Sequence, residues 1–532
     1  MQAHFGGYTY IPFGDAALFT VTLLPEKTGK FPVVIIRSPY VDAFGERSEE
    51  ETIQVYLRDF ADWLNRGYAI VYQHCRGRGK STGDCIPYVH EREDGLALLE
   101  WIRKQPFYNG ELYLKGSSYL SSVHYALAPY AEDIKGAVFN AQDCERYNIC
   151  YRNGFFKRAL HGEWAVSMYR LGGRKKWNFT PKAFDMLPLK DFTRTVLDRP
   201  VQDLDGILAA PDPADPFWQT RAGGSDARDA VKDIPFPALF TTAFNDIYTG
   251  GIFDMWKNMD PESRGGSALV ISPYDHGDNP TSDGITFPNG RRVEAFGEDY
   301  EIDWLDYIRG KSAVPFVPGK VTYYRLFENT WQTDTFAPGE KTLRIRLGEE
   351  EKSFVYNPYD PPEFKGGLSR AFGGAVFQDP PNSRHDIISL YTEPFGQDTF
   401  VKGKMSARLR VKSDCEDTCF YIRVSIAKAE GDFGLRDDIT SLSWALGDYT
   451  PGTEVTLDFD FDEHAFLIRR GEKLRIDIAS ADNAHYVRHT NQKGLYSAQS
   501  TGKIARNTVY LQDSVLCLPT ESKAGVKQRL AP

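Results

Sequence analysis

At 532 residues, with 41% hydrophobic and 26% charged side chains, the chain has room for about two or three folded domains and does not have a disordered composition. Its net charge of -10 leaves no basic excess to neutralise phosphate, which argues against a nucleic-acid partner. No run of about 18 apolar residues occurs, so no membrane span is expected.

Met1 to Tyr10 has no charged segment followed by an apolar core, so no signal peptide is expected either. The cysteines are Cys75, Cys85, Cys144, Cys150, Cys415, Cys419 and Cys517. They are few and scattered, as for reduced thiols in a cytoplasmic protein. Cys415 and Cys419 lie close together, but no second pair or neighbouring histidine completes a zinc site. Neither a metal nor a cofactor is expected.

Residues 8–24 read as strands at the edge of a sheet, punctuated by Pro12 and Gly14. Phe31 to Arg37 is a continuous apolar run, the pattern of a strand buried on both faces of a parallel sheet. A charged loop, Glu46 to Glu51, follows. Ile53, Leu57, Phe60 and Leu64 then recur at helical spacing until Gly67. Tyr68 to Tyr72 is the next strand, followed by the Gly-rich loop His74 to Gly83. Leu98, Leu99 and Ile102 mark a helix closed before Pro106. A short strand, Leu112 to Lys115, runs into Gly116-Ser117-Ser118, and a helix-compatible run begins at Tyr119. Ile134 to Asn140 is a further strand. This alternation predicts an α/β domain with a mostly parallel sheet.

Between about Cys144 and Ser225 strand candidates are scarce, and helical patches alternate with Pro-rich turns such as Pro211-Asp-Pro213. An inserted helical cap is the natural reading. The α/β pattern resumes with strands Pro237 to Thr242 and Ala268 to Ser272, then a last helix (Ile302, Leu305, Ile308) ending at Gly310. From about Lys320 short alternating segments take over: Thr342 to Leu347, Ser406 to Val411, Phe420 to Ser425 and Lys473 to Ile478. Period-two patterning predicts an antiparallel β-sandwich. The expected boundaries are 1–142 and 233–315 for the α/β domain, 143–232 for the cap and 316–532 for the sandwich.

The strand–turn–helix layout around Ser118 is that of a nucleophile elbow, in which a serine is pushed out of the sheet at a helix N-terminus. Ordinary helix capping by a serine explains the same short pattern. The wider chain favours the elbow. A serine nucleophile needs a base and an acid to orient it, supplied in the order Ser, Asp, His from loops after strands. Asp246 follows the strand ending at Thr242, and His276 follows the strand ending at Ser272. Asp254 and Asp275 are rivals to Asp246. Ser117 is the rival to Ser118, with the Gly-x-Ser spacing favouring Ser118. Tyr40, the His74 to Gly83 loop and Ser118 all fall at strand carboxyl ends, where open α/β sheets place their sites.

Gly116-Ser-Ser118-Tyr-Leu resembles the Gly-x-Ser-Tyr elbow of the Xaa-Pro dipeptidyl-peptidase and cocaine-esterase family of serine hydrolases. Ser38-Pro39-Tyr40 resembles that family's first active-site loop, and Arg76-Gly-Arg-Gly79-Lys-Ser81-Thr-Gly83 its Arg-Gly-x-Gly-x-Ser-x-Gly loop. Asn245-Asp246 and Asp275-His276 stand where it places the triad acid and base. Leu187-Pro-Leu, Pro211-Asp-Pro and Phe217-Trp218 are similar to its helical cap, and Gly471 to Ile478 to a strand of its C-terminal domain. The chain departs from the family at Ser121, where Gly or Ala is usual, and at His74, where Asp is usual.

The resemblance implies an α/β hydrolase with an inserted helical cap and a C-terminal jelly-roll β-sandwich. It implies Ser118 as nucleophile, His276 as base and Asp246 as its acid. The Tyr119 backbone N–H and the Tyr40 hydroxyl would form the oxyanion hole. Trp164 and Tyr248 are candidate pocket walls, although core packing explains either. Family members that recognise a free α-amino group use acidic residues near the site, and Asp143, Glu145 and Glu163 lie in that region.

The expected function is a cytoplasmic serine hydrolase that cleaves a small ester, amide or short peptide through an acyl-enzyme. The same acyl-enzyme also serves an acyltransferase or a lactam-forming enzyme. A reading from another class is a non-catalytic carbohydrate- or protein-binding protein, since jelly rolls often bind sugars. The expected partner is a small-molecule ester or short peptide, with neither nucleic acid nor membrane, and self-association into a homo-oligomer is left open.

Overall fold

The computed structural model describes residues 4–41, 47–169, 181–220, 230–280, 284–313, 316–367, 374 and 376–521. A ten-stranded sheet forms its centre. In chain order the strands are β1 (His4–Phe13), β2 (Ala16–Leu24), β3 (Phe31–Ser38), β4 (Ala69–His74), β5 (Tyr108–Ser117) and β6 (Ile134–Asn140). A small hairpin, β7 (Tyr151–Arg152) and β8 (Phe155–Phe156), lies in the cap. Then follow β9 (Ala238–Ala243), β10 (Ala268–Ser272), β11 (Val321–Arg325) and β12 (Thr330–Asp334). The spatial order is β1-β2-β4-β3-β5-β6-β9-β10-β11-β12. The strands from β4 to β11 in that order run parallel, and antiparallel pairs close both edges.

The apolar runs become strands covered on both faces: every residue of β4, β9 and β10 is buried. Leu98, Leu99 and Ile102 of the helix Glu91–Arg103 pack against the sheet with no exposure. Two local features differ from the sequence reading. Of the expected charged loop, the described part starts a helix, Glu49–Asp59, because Ser48 and Glu51 form a reciprocal capping box. The helical run through Leu64 is broken at Phe60, where ψ of 16° interrupts the ladder, and continues as Ala61–Asn65.

The sheet also continues past residue 315, the expected limit of the α/β domain. β11 pairs with β10, and β12 pairs with β11. The alternation of these two strands resembles that of the sandwich strands, but their partner is the central sheet.

The cap contributes the helices Arg146–Cys150, Glu163–Tyr169, Phe192–Val196 and Gln202–Ala209. They close around a core that includes Tyr151, Phe184, Phe192 and Trp218. Residues 170–180 and 221–229 of this region lie outside the described residues.

The C-terminal strands are β13 (Lys341–Arg346), β14 (Glu351–Tyr356), β15 (Ile388–Tyr391), β16 (Thr399–Gly403), β17 (Ser406–Ser413), β18 (Cys419–Lys428), β19 (Gly431–Ser441), β20 (Val455–Asp460), β21 (His464–Ile468), β22 (Lys473–Ala479) and β23 (Ala505–Thr520). They form a seven-stranded and a four-stranded antiparallel sheet, the two layers of a β-sandwich. β17 alternates as expected, whereas β18 is buried over its first eight residues. The four-stranded sheet is covered on its outer side too. Arg152 and Asn153 of the cap bond to Asp438 at 2.8 and 3.3 Å, and Arg423 and Arg436 share a small cavity with Asn245 and Asp246. No described helix is long and apolar enough to cross a membrane.

Candidate active site

Ser118 follows β5 directly and adopts φ 56° and ψ -133°. A non-glycine side chain is rarely held at such angles, so the turn stores strain that its surroundings must fix. Ser118 N–H donates to Asn140 O at 2.9 Å, and Ser121 N–H donates to Ser118 O at 2.7 Å. Gly116 makes the turn sterically feasible: a Cβ there would lie 2.3 Å from Leu120 O. The strained turn falls on Ser118, while Ser117 stays in β5, paired with Asn140.

Tyr119 is the first residue of the helix Tyr119–Tyr125, so its N–H belongs to the amides with no intrahelical acceptor. Its side chain points away into the core. The hydroxyl donates to Glu91 Oε1 at 2.7 Å and accepts the Tyr88 N–H at 2.8 Å. Glu91 is held in turn by the fully buried Arg37 at 3.1 Å.

Tyr40 lies two residues beyond β3, with 42% of its surface exposed. Its hydroxyl accepts the Trp164 Nε1–H at 2.9 Å. Arg78, in the Gly-rich loop, donates to Pro39 O at 2.6 Å and to Met168 O at 3.2 Å, tying the Tyr40 segment to the cap. Arg76 grips Asp94 through two nitrogens and reaches Asp15. Both loop arginines are buried and directed inward.

His276 follows β10, and its Nδ1 lies 3.2 Å from both oxygens of Asp246. Asp246 is 2% exposed and also accepts the Tyr248 N–H at 2.8 Å. Main-chain bonds from Phe244 to Ser272 O and from Asn245 to Tyr274 O lock the two loops together. The rival acids are placed elsewhere. Asp275 turns back to accept Gly277 and Asn279 N–H groups, and Asp254 sits in the helix Thr249–Asn258. Burial drives the imidazoles of His74, His124 and His161 down to about 3, which keeps them neutral.

The expected wall residues do adjoin these groups. Tyr248 sets its ring edge-on to His276, with centroids 5.5 Å apart. Trp164 packs on Tyr119 at 5.4 Å and Tyr88 at 5.8 Å. Asp143 is different. Burial pushes its carboxyl up to about 7, and a Cβ on Gly251 would lie 2.2 Å from its Oδ2. It lines a 280 Å3 cavity together with Tyr248, Asp254, Lys157 and Arg152.

Among the described residues, Asp437, Asp482 and His485 form the one cluster with metal-ligand spacing. The Asp482 carboxylate already accepts the Phe364 N–H and bonds to His485, and the Arg423 guanidinium nearby opposes a cation.

The chain matches the family described as X-Pro dipeptidyl-peptidase (S15 family) over residues 14–278. It matches the X-Pro dipeptidyl-peptidase C-terminal non-catalytic domain over residues 318–514. It is 23% identical to a cocaine esterase from Rhodococcus sp. (strain MB1 Bresler), covering 92% of this chain and 93% of that one. The chain belongs to the X-Pro dipeptidyl-peptidase and cocaine-esterase family of serine hydrolases.

The fold agrees with this membership. An aminopeptidase from a marine sediment Thaumarchaeota archaeon superposes with a TM-score of 0.80 at 18% identity, covering 97% of this chain and 96% of that one. An α-amino acid ester hydrolase superposes with a TM-score of 0.79 at 17% identity, with the same coverage.

The structure explains both departures from the family pattern. Ser121 Oγ donates to Asn140 O at 3.0 Å, the carbonyl that also holds Ser118, so a serine here adds a fastening. His74 Nδ1 accepts the Lys80 N–H at 3.2 Å and its Nε2 meets Tyr56 Oη at 2.9 Å, so a neutral imidazole organises the Gly-rich loop. The sequence reading placed Arg78 in the Gly-rich loop without a role, and missed Asn140 and Glu91. Of these last two, only Asn140 carried a signal, its strand-end position.

Proposed function

We propose that this serine hydrolase cleaves a small ester or amide through an acyl-enzyme on Ser118. His276 takes the Ser118 proton as Oγ attacks the carbonyl carbon, then delivers it to the leaving group. Asp246 holds the Nδ1 side of the imidazole and stabilises the imidazolium. The Tyr119 N–H and the Tyr40 O–H donate to the developing oxyanion. Water, activated by His276, then releases the acid and restores Ser118. The observation that carries this reading is the strained turn at Ser118, on the same sheet edge as the Asp246–His276 pair.

The surroundings favour an apolar or aromatic acyl group, because Trp164, Tyr88 and Tyr248 adjoin Tyr40 and His276. Burial disfavours the Asp143 anion, which favours esters over substrates anchored by a free α-ammonium at that carboxyl. A fluorophosphonate probe should label the wild-type chain and leave Ser118→Ala unlabelled. Equal labelling of the two would remove Ser118 from the mechanism. A panel of p-nitrophenyl esters set against Xaa-Pro anilides then divides esterase from peptidase, with the esters expected to be faster.

A further inference from the structure

Beneath the carboxyl ends of β5, β6, β9 and β10 runs a chain of polar side chains that the reaction does not itself use. Lys115, three residues before Ser118, pairs with Glu301 on the helix Tyr300–Ile308. Glu301 Oε1 accepts Asn140 Nδ2 at 2.8 Å and the Tyr300 hydroxyl at 3.4 Å. The other end of the Asn140 amide accepts the Thr241 hydroxyl from β9. The main-chain carbonyl of Asn140 is the one that holds both Ser118 and Ser121.

The chain continues from Tyr300 to the Arg292 guanidinium. Arg292 Nη1 donates to Thr242 O at 2.8 Å, near the end of β9, and its main-chain N–H donates to Asp278 Oδ2 at 2.9 Å. Asp278 stands two residues beyond His276, at φ 57°. The supports of Ser118, Asp246 and His276 are thereby joined by one set of side chains.

Lys115 and Glu301 keep only 21% and 16% of their side-chain surface exposed, and desolvating ionised groups even in part carries a cost that packed apolar groups avoid. Burial opposes the Glu301 charge, yet Lys115 and Asn140 hold its carboxyl below the usual range. Such a network specifies geometry where apolar packing would leave it loose.

We propose that Glu301 is a positioning residue. It clamps the Asn140 amide, fixing the carbonyl that anchors Ser118, and through Tyr300 and Arg292 it sets this elbow in register with the Asp246 and His276 loops. The inference rests on Ser118 as the nucleophile.

The test uses Glu301→Gln and Tyr300→Phe in the full chain. It measures kcat and KM on a p-nitrophenyl ester, the rate of fluorophosphonate labelling, and Tm. Misplacing a nucleophile by a fraction of an ångström slows chemistry more than binding, so Glu301→Gln should lower kcat and labelling about tenfold while KM stays within about twofold. Tyr300→Phe, which is isosteric, should lower both about threefold. Unchanged kcat and labelling in Glu301→Gln overturn the proposal, whatever happens to Tm. If Glu301→Gln does not fold, Tyr300→Phe decides, and wild-type rates in it overturn the proposal. A wild-type chain that takes no label refutes the nucleophile reading itself. A labelled wild type with unaltered variants refutes the clamp alone.

Discussion

Tyr40→Phe removes a single hydroxyl from the site and tests whether Tyr40 donates to the oxyanion. A hydroxyl carries one proton and two lone pairs. In Tyr40 the Trp164 indole occupies a lone pair at 2.9 Å, which orients the phenol; in the proposed mechanism the phenol's own proton is the donor. Loss of one preorganised oxyanion donor typically costs ~2.7–4 kcal/mol, or about 10²–10³ in kcat. The ground-state carbonyl carries little charge, so KM should change far less than kcat. The structural cost is small, because Trp164 is only partly buried and water can replace the lost acceptor, leaving ~1 kcal/mol at most. The control is Trp164→Phe, which keeps the Tyr40 proton and loses only its orientation. Its kcat should fall about fivefold, the equivalent of ~1 kcal/mol. Initial rates over a range of p-nitrophenyl ester concentrations separate kcat from KM. A Tyr40→Phe enzyme whose kcat lies within about threefold of wild type would refute the donor role. Equal losses in the two variants would make Tyr40 a wall and not a donor.

Two further perturbations test how the site is supported. Burial raises the Asp143 carboxyl to about 7 in the folded chain. That acid is protonated in the folded state over a range where the unfolded chain is ionised, so its contribution is fully present below the unfolded carboxylate range and is lost as pH rises through about 7. Asp143→Asn should therefore unfold at the wild-type temperature near about pH 4 and at a higher temperature near about pH 8, and a pH-independent gap would refute the assignment. Arg76→Met leaves Asp94, 1% exposed, without its two-nitrogen partner beneath the Gly-rich loop. Breaking a buried pair on one side costs about 3–5 kcal/mol, so urea denaturation should show a clearly lowered midpoint, and an unchanged midpoint would refute the role given to Arg76.

Much of this protein was legible in the order of residues. The buried strands β3, β4, β9 and β10 announced themselves as continuous apolar runs, since a strand covered on both faces has no polar side to show. Ser118, Asp246 and His276 stood out as candidates because each follows a strand, β5, β9 or β10, and a parallel sheet brings strand carboxyl ends to one edge. The capping box at Ser48 and Glu51 is also encoded locally, as a Ser-x-x-Glu spacing among other charges.

Other features depended on contacts between distant segments. β11 and β12 carry the same local alternation as the sandwich strands, and only pairing with β10 shows which sheet they extend. β18 loses its expected alternation because the cap and the Asp246 loop cover the outer side of its sheet. His74 and Ser121 read as departures until Lys80 and Asn140 supplied their partners. The Asn140–Glu301 contact spans 161 residues, and no local pattern encodes it. The chain by itself determined which candidate side chains follow which strand, because hydrophobic period and turn residues are local properties. The tertiary structure decided what holds those side chains in place, because the partners of a buried polar group come from whichever segments the fold brings against it.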